Sequence, residues 1–126
     1  MSDIKKLLEQ NRQWAAETAE QQPGFFDVVK WTGTGGNLTL SHNLGCIPGM
    51  ILIKNCDGTH DWKVYHVGTD ASTPQNKYLV LNGQNAAASA NNNYFQQTAP
   101  TATNFYVGSN ADVKESGQTM IADLFA

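Results

Sequence analysis

The chain has 126 residues, a formal net charge of −3 and only 15% charged residues. Its length suits one domain with a hydrophobic core. Its net negative charge excludes the strongly basic surface by which proteins usually bind nucleic acid. No run of eighteen apolar residues occurs, so we expect no membrane span. Two cysteines cannot build a disulfide framework, and the charged start lacks the apolar stretch of a secretory signal, so synthesis in a reducing cytosol is expected.

Residues 1–22 are predicted to form an amphipathic helical arm, which Pro23-Gly24 separates from the rest of the chain. Ser2 can cap this helix, whose apolar side chains recur at spacings of three and four. Because an isolated helix of this length is marginal in water, its apolar stripe must pack on something. It docks either on its own domain or on a neighbouring subunit or larger assembly, and we favour the neighbour. The predicted partner-binding residues are Ile4, Leu7, Leu8, Asn11, Trp14 and Ala15.

Residues 26–126 are predicted to form an antiparallel β-sandwich, because short apolar strands and turn pairs alternate without an intervening helix. The predicted class is therefore mainly β, preceded by one N-terminal amphipathic α-helix. Residues 37–54 indicate a half-buried strand, a tight turn at 42–45 and a core strand at 50–54 that is buried on both faces. We expect the strands on either side of this turn to pair. The other predicted strands cover residues 26–31, 62–66, 78–81, 105–107 and 119–126.

Two histidines and two cysteines form the most conspicuous candidate for chemistry. The pairs His42-x-x-x-Cys46 and Cys56-x-x-x-His60 supply ligand types that hold zinc tetrahedrally, although their spacing departs from that of zinc fingers. The alternative is a small buried Cys46, a turn at Cys56 and polar histidines at strand ends, with a Cys46–Cys56 disulfide as a further option. Since no nucleophile elbow or phosphate-binding loop is present either, we predict no catalytic residue, metal or cofactor.

A loop rich in asparagine and alanine at residues 82–93 is the second candidate surface. Neutral polar side chains beside aromatic rings are typical of ligand sites that bind sugars loosely. A glycan on a host surface is therefore a candidate partner. The candidate ligand residues are Asn82, Asn85, Asn91, Asn92, Asn93 and Tyr94.

The order of segments in residues 26–126 resembles a β-rich module of bacteriophage tail-fibre and other virion proteins. A strand leads to His-x-Leu-Gly at 42–45, an apolar strand ends in Lys54, a Trp-x-x-Tyr-His strand follows at 62–66, and an apolar strand closes on Phe-Ala. The resemblance implies a structural or receptor-facing role, usually in a homotrimer. It carries over no catalytic residues.

The arm and its exit resemble the opening of bacterial β-carbonic anhydrases, in which this part lies across the dimer partner. The similar positions are Asp3-Ile4, Leu7-Leu8, Asn11, Trp14-Ala15 and residues 23–26. The zinc motif of those enzymes, Cys-x-Asp-x-Arg followed by His-x-x-Cys, is absent from this sequence. The resemblance therefore implies that the arm packs on a partner and gives no support to catalysis.

Together these patterns predict a non-enzymatic bacteriophage virion protein, made in the host cytoplasm, that serves as a capsid decoration, short fibre or tail component. We expect it to assemble through its arm with itself, preferably as a homotrimer, and with other virion proteins. Its β-sandwich would be displayed for host attachment, with neither nucleic acid nor membrane as a partner. The alternatives are a carbohydrate-binding module and a small zinc metalloenzyme that uses the two Cys-His pairs.

Overall fold

A computed structural model describes residues 24–84, 86–89, 94–108 and 115–126, which contain eight β-strands. Two short 3-10 turns, Val67–Thr69 and Pro74–Asn76, lie between the fourth and fifth strands. The predicted helix of residues 1–22 lies outside the described residues. The strands are β1 (Phe26–Thr32), β2 (Leu38–Ser41), β3 (Met50–Asn55), β4 (Lys63–His66), β5 (Lys77–Val80), β6 (Ala88–Ser89), β7 (Asn104–Val107) and β8 (Thr119–Phe125).

The strands form two antiparallel sheets. The larger sheet has six strands in the order β1-β8-β3-β4-β5-β6, and the smaller pairs β2 with β7. All strand pairs between described residues are antiparallel. The prediction of a mainly β, antiparallel class is therefore confirmed.

The hydrophobic core takes side chains from both sheets. Alternation along β3 sends every second residue inward, so that Ile51 and Ile53 are buried. The rings of Trp31 in the larger sheet and Phe105 in the smaller meet edge to face, with their centroids 5.8 Å apart. The core members are Trp31, Leu44, Ile51, Ile53, Tyr65, Tyr94, Phe95, Phe105, Val107, Met120, Ala122 and Leu124.

The segment of residues 42–49 crosses from one sheet to the other. The prediction that the strands on either side of it pair is wrong, because β2 pairs with β7 while β3 lies between β8 and β4. Turn chemistry is present: the Nδ1 atom of His42 accepts a hydrogen bond from the Leu44 amide, and Gly45 has a φ of +80°. Such chemistry marks a change of direction but does not decide which strand becomes the partner.

Strand β3 is central in the larger sheet but differs on its two faces. Its inner side chains are buried, whereas Met50, Leu52 and Lys54 on the other face are only half-buried. Within the described residues, the prediction of a strand buried on both faces is therefore wrong, because one face is only half-buried. The continuous apolar run reflects an outer sheet face that the described residues cover only in part, since Val64 opposite Leu52 is buried while Leu52 is half-buried.

Candidate interaction surfaces

The described residues leave one broad apolar surface half open, on the side of β1, β8 and β3 that points away from the core. We call it the outer face. The strand registers align its side chains in three rows, because Phe26, Val28 and Lys30 of β1 each lie opposite a residue of β8 and then one of β3. Its members are Phe26, Phe125 and Met50 in the first row, Val28, Asp123 and Leu52 in the second, and Lys30, Ile121 and Lys54 in the third.

The apolar character of the outer face is strongest at the row that contains Phe26. The Phe26 side chain is 52% exposed and its ring lies 5.2 Å from that of Phe125, while Val28 in the next row is 45% exposed. At the opposite end, the Lys54 ammonium donates hydrogen bonds to the backbone oxygens of Gly58 and His60. The face is thus apolar along the row of Phe26 and carries two lysines at its other end, with the Asp123 carboxylate on the central strand. Its exposed apolar side chains suit a surface that packs on a partner.

The outer edge of β1 borders this face, and no other described strand pairs with its backbone N–H and C=O groups there. The amide of Ala126 donates to the Phe25 oxygen and that of Gly33 to the Gln118 oxygen, so odd-numbered residues direct their backbone toward β8. Even-numbered residues from Phe26 to Thr32 therefore direct N–H and C=O outward. The Asp27 carboxylate accepts from the Asn43 amide at 2.7 Å, and Lys30 adds a charge that discourages indiscriminate strand pairing.

The predicted arm residues cannot be placed on this framework. Ile4, Leu7, Leu8, Asn11, Trp14 and Ala15 lie outside the described residues, so their partner-binding role stays a prediction.

The two Cys-His pairs are not brought together. Cys46 precedes β3 and Cys56 follows it, and a six-residue strand is about 20 Å long. Both thiols are free, with Cys46 packed against the core and Cys56 exposed. Within the described ranges, no three His, Cys, Asp or Glu side chains are grouped so that they could hold a metal ion. The two Cys-His pairs thus lie at opposite ends of β3 and do not form one metal site.

The histidines of those pairs have structural contacts instead. His42 is 6% exposed; its Nδ1 atom accepts from the Leu44 amide at 3.1 Å, and its Nε2 atom lies 2.8 Å from the Thr101 oxygen. Nε2 must therefore carry the proton, because the Thr101 oxygen can only accept. His60 Nε2 lies 3.3 Å from a Glu115 carboxylate oxygen. His42 thus has no ring nitrogen left for a ligand.

Two members of the predicted ligand loop lie within the described residues, in different environments. Asn82 is exposed, but its amide nitrogen donates to Asp61 at 2.7 Å and its oxygen accepts from the Trp62 amide at 3.3 Å. Tyr94 is 9% exposed, with its ring 4.3 Å from that of Tyr78, so it presents little surface to a ligand. Asn85, Asn91, Asn92 and Asn93 lie outside the described residues.

Sequence reasoning missed a buried lysine in this region. Lys63 is 6% exposed, and its ammonium nitrogen lies 5.0 Å from the centroid of the Tyr78 ring and 5.3 Å from that of Tyr94. Both distances are within the range of cation–π attraction. Lysines are almost never buried, which hides such a site in a sequence. The signal that could have revealed it is alternation, because Lys63 shares its strand face with Tyr65 and both point inward.

Among the residues that the structure describes, Tyr65 and Asp70 have a perturbed protonation equilibrium. Burial raises the pKa of Tyr65 above 10.0, because the phenolate would lose its hydration. The backbone amides of Thr73 and Ser72 donate to the Asp70 carboxylate and lower its pKa below 3.8. Tyr65 lies in the core and Asp70 in the link between β4 and β5. The pKa shift at Tyr65 has burial as its cause, and that at Asp70 has mainly backbone hydrogen bonds, so each has a structural origin.

Comparison with known proteins gives a family but no activity. In the described part of the chain, no helix has the length and apolar character needed to cross a membrane. No curated protein matches the chain, and no solved structure matches it. The family model described as a domain of unknown function, DUF7483, matches residues 15–126, which include all eight strands. The chain therefore belongs to the DUF7483 family.

Proposed function

We propose that this chain is a non-enzymatic structural component of a bacteriophage particle. In this proposal, an N-terminal amphipathic helix precedes a β-sandwich and joins it to further copies of the chain, preferably as a trimer, and to other particle proteins. The β-sandwich then serves as a decoration, short fibre or tail component that can face the host. The resemblance of residues 26–126 to a module of virion proteins supports a role in a phage particle. The outer face supports assembly with other chains.

The outer face is the observation that carries the proposal. Phe26 and Val28 are exposed beside the half-buried Met50, Leu52 and Phe125, so apolar side chains of three neighbouring strands adjoin. Monomeric proteins rarely leave a large contiguous apolar patch in water. Packing in an assembly would bury this patch, which is the role expected of a particle component.

The surroundings of the candidate catalytic side chains agree with a structural role. His42 holds the crossing between the sheets through both ring nitrogens. The Asp57 carboxylate accepts from the Thr119 amide at 2.6 Å and so ties the β3–β4 loop to β8. These groups stabilise the fold locally. Their hydrogen bonds support a scaffold function for His42, whose sequence context invites a metalloenzyme interpretation, and for Asp57, which lies between Cys56 and His60.

Mass spectrometry of purified particles tests the proposal. Particles from the virus that encodes this chain should contain it in a fixed ratio to the major capsid protein after gradient purification and a high-salt wash. Its absence from particles, with the chain found only in the infected cell, would overturn the proposal. Glycan-array binding by a chain that is absent from particles would instead support the carbohydrate-binding alternative.

A further inference from the structure

We propose that the outer face of β1, β8 and β3 is the docking surface for residues 4–15 of a neighbouring copy of this chain. The inference rests on the proposed function, in which residues 1–22 mediate assembly, and deepens it by naming the receiving surface. In this arrangement, the apolar stripe of one copy's arm packs on the apolar side chains of the other copy's outer face.

The dimensions of the two surfaces agree. Three neighbouring strands spaced by about 4.8 Å present a strip roughly 10 Å wide between the outer two, and the seven residues of β8 extend it to about 24 Å. A helix with its side chains is about 10 Å across, and residues 4–15 would span about 18 Å as a helix. One helix therefore fits along the length of the outer face, whereas a second sheet would extend beyond its edges.

The chemistry of the two surfaces also agrees. The predicted stripe presents Ile4, Leu7 and Trp14, and the outer face offers apolar side chains in each of its three rows. Trp14 is the natural anchor, because buried tryptophan contributes heavily to protein interfaces. Lys30 can remain hydrated at the side of a docked helix. Asp123 lies on the central strand between Val28 and Leu52, beneath the helix, where the side-chain amide of Asn11 can donate a hydrogen bond to its carboxylate.

The way the chain enters β1 favours the arm of a neighbour over the chain's own arm. The Gly24 amide donates to the Leu44 oxygen at 2.6 Å, and Leu44 is a fully buried member of the core. A side chain at Gly24 would meet the Leu44 backbone and side chain. The chain therefore joins β1 from the core side of the sheet. Its own arm would have to pass around the β1 edge to reach the outer face, while an arm from another copy need not.

Cross-linking between differently substituted copies tests the docking directly. One copy carries Leu8→Cys and the other Leu52→Cys or, separately, Val28→Cys, all in full-length chains with Cys46→Ser and Cys56→Ser. The differently tagged copies are co-expressed, oxidised and analysed by non-reducing electrophoresis and mass spectrometry. We expect a disulfide between copies at either outer-face position, with a yield about tenfold above that of a Thr39→Cys control on the exposed side of β2.

The outcomes separate this inference from the proposed function. If an oligomer forms but both outer-face positions yield no more than Thr39→Cys, the docking surface is wrong while assembly through the arm stands. If a single chain carrying both Leu8→Cys and Leu52→Cys forms its disulfide internally, the arm covers its own sheet and the neighbour is excluded. A full-length chain that sediments only as a monomer would overturn both the docking and the proposed assembly.

A charge placed in the interface gives a second measurement. Val28→Glu should weaken association of the oligomer by about tenfold or more, because docking would bury an unpaired carboxylate. Thr39→Glu adds the same charge to an exposed strand position and should leave association unchanged. Circular dichroism verifies that both variants fold. Equal association constants for Val28→Glu and the unsubstituted chain, in sedimentation equilibrium, would overturn the proposal.

Discussion

Single polar side chains in this protein take their roles from contacts that are remote in sequence. His42 bonds to Leu44 nearby but also to the Thr101 oxygen, 59 positions further along the chain. The local sequence pattern predicts a histidine beside a turn, but it does not predict the hydrogen bond to Thr101. The residues around His42 therefore leave a zinc interpretation open beside the structural one that we favour, and the tertiary fold supplies the contacts that separate them.

Lys63 also takes its role from contacts that are remote in sequence, but here sequence analysis overlooks a site instead of suggesting a false one. Alternation along 62–66 predicts its strand but assigns no partner to its ammonium group, since Tyr78 and Tyr94 lie on other segments. Double-mutant cycles with Lys63→Met and Tyr78→Leu should give a coupling free energy of about 0.5 to 2 kcal/mol, because a cation–π contact would be removed. Urea denaturation measures the four unfolding free energies. A coupling near zero would show that the tyrosine ring does not stabilise the buried ammonium.

Tyr65 should make stability depend on pH in alkaline solution. The folded protein retains the phenolic proton to a higher pH than the unfolded chain, whose tyrosine pKa is the ordinary 10.0. The contribution is therefore fully present below pH 10 and is lost as the pH rises through the raised pKa of the folded state. Urea denaturation between pH 8 and about pH 11 should show a decline in unfolding free energy that Tyr65→Phe reduces. Parallel declines in both proteins would contradict a buried, titrating Tyr65.

At the scale of elements, seven of the eight described strands are predicted, whereas their partners are not. The missed strand is β6, which lies within the loop predicted at residues 82–93. Leu38–Ser41 is the half-buried strand predicted immediately before the turn at 42–45, because alternation of leucine with polar residues is a local property. The pairing of β2 with β7 joins Leu40 to Phe105, and that of β1 with β8 joins Phe26 to Phe125. Such registers depend on the burial of one face in a shared core. They cannot be deduced from either strand alone.

Two isoleucines on either side of the start of β3 test which element carries the core. Ile53 is fully buried and Ile47 is 63% exposed. Ile53→Ala should lower the unfolding free energy by about 2 to 5 kcal/mol, because it removes buried methyl groups and leaves a cavity. Ile47→Ala is the matched control and should change it by less than about 0.5 kcal/mol. Similar losses for the two variants, measured by urea denaturation, would contradict the placement of β3 in the core.

At the scale of the whole molecule, removal of residues 1–22 separates folding from assembly. The shared core lies entirely within residues 31–124, so the shortened chain should retain its β-sheet circular dichroism and a cooperative thermal transition. It should lose association, because the predicted apolar stripe is gone. Sedimentation velocity compares the two proteins. An oligomer of unchanged stoichiometry would contradict the arm as the means of assembly, whereas loss of the thermal transition would show that the arm is part of the fold.

The position of β8 also governs when this protein can fold during synthesis. Strand β8 lies between β1 and β3, although it is made after all the other described strands. Until residue 125 has left the ribosome, β1 has no partner in the larger sheet and β3 has one open edge. Contacts between distant parts of a chain form slowly, and unpaired strand edges invite association with other chains. Several ribosomes on one message therefore hold incomplete sheets close together, and the same exposed edges that risk aggregation there bring assembling copies into early contact.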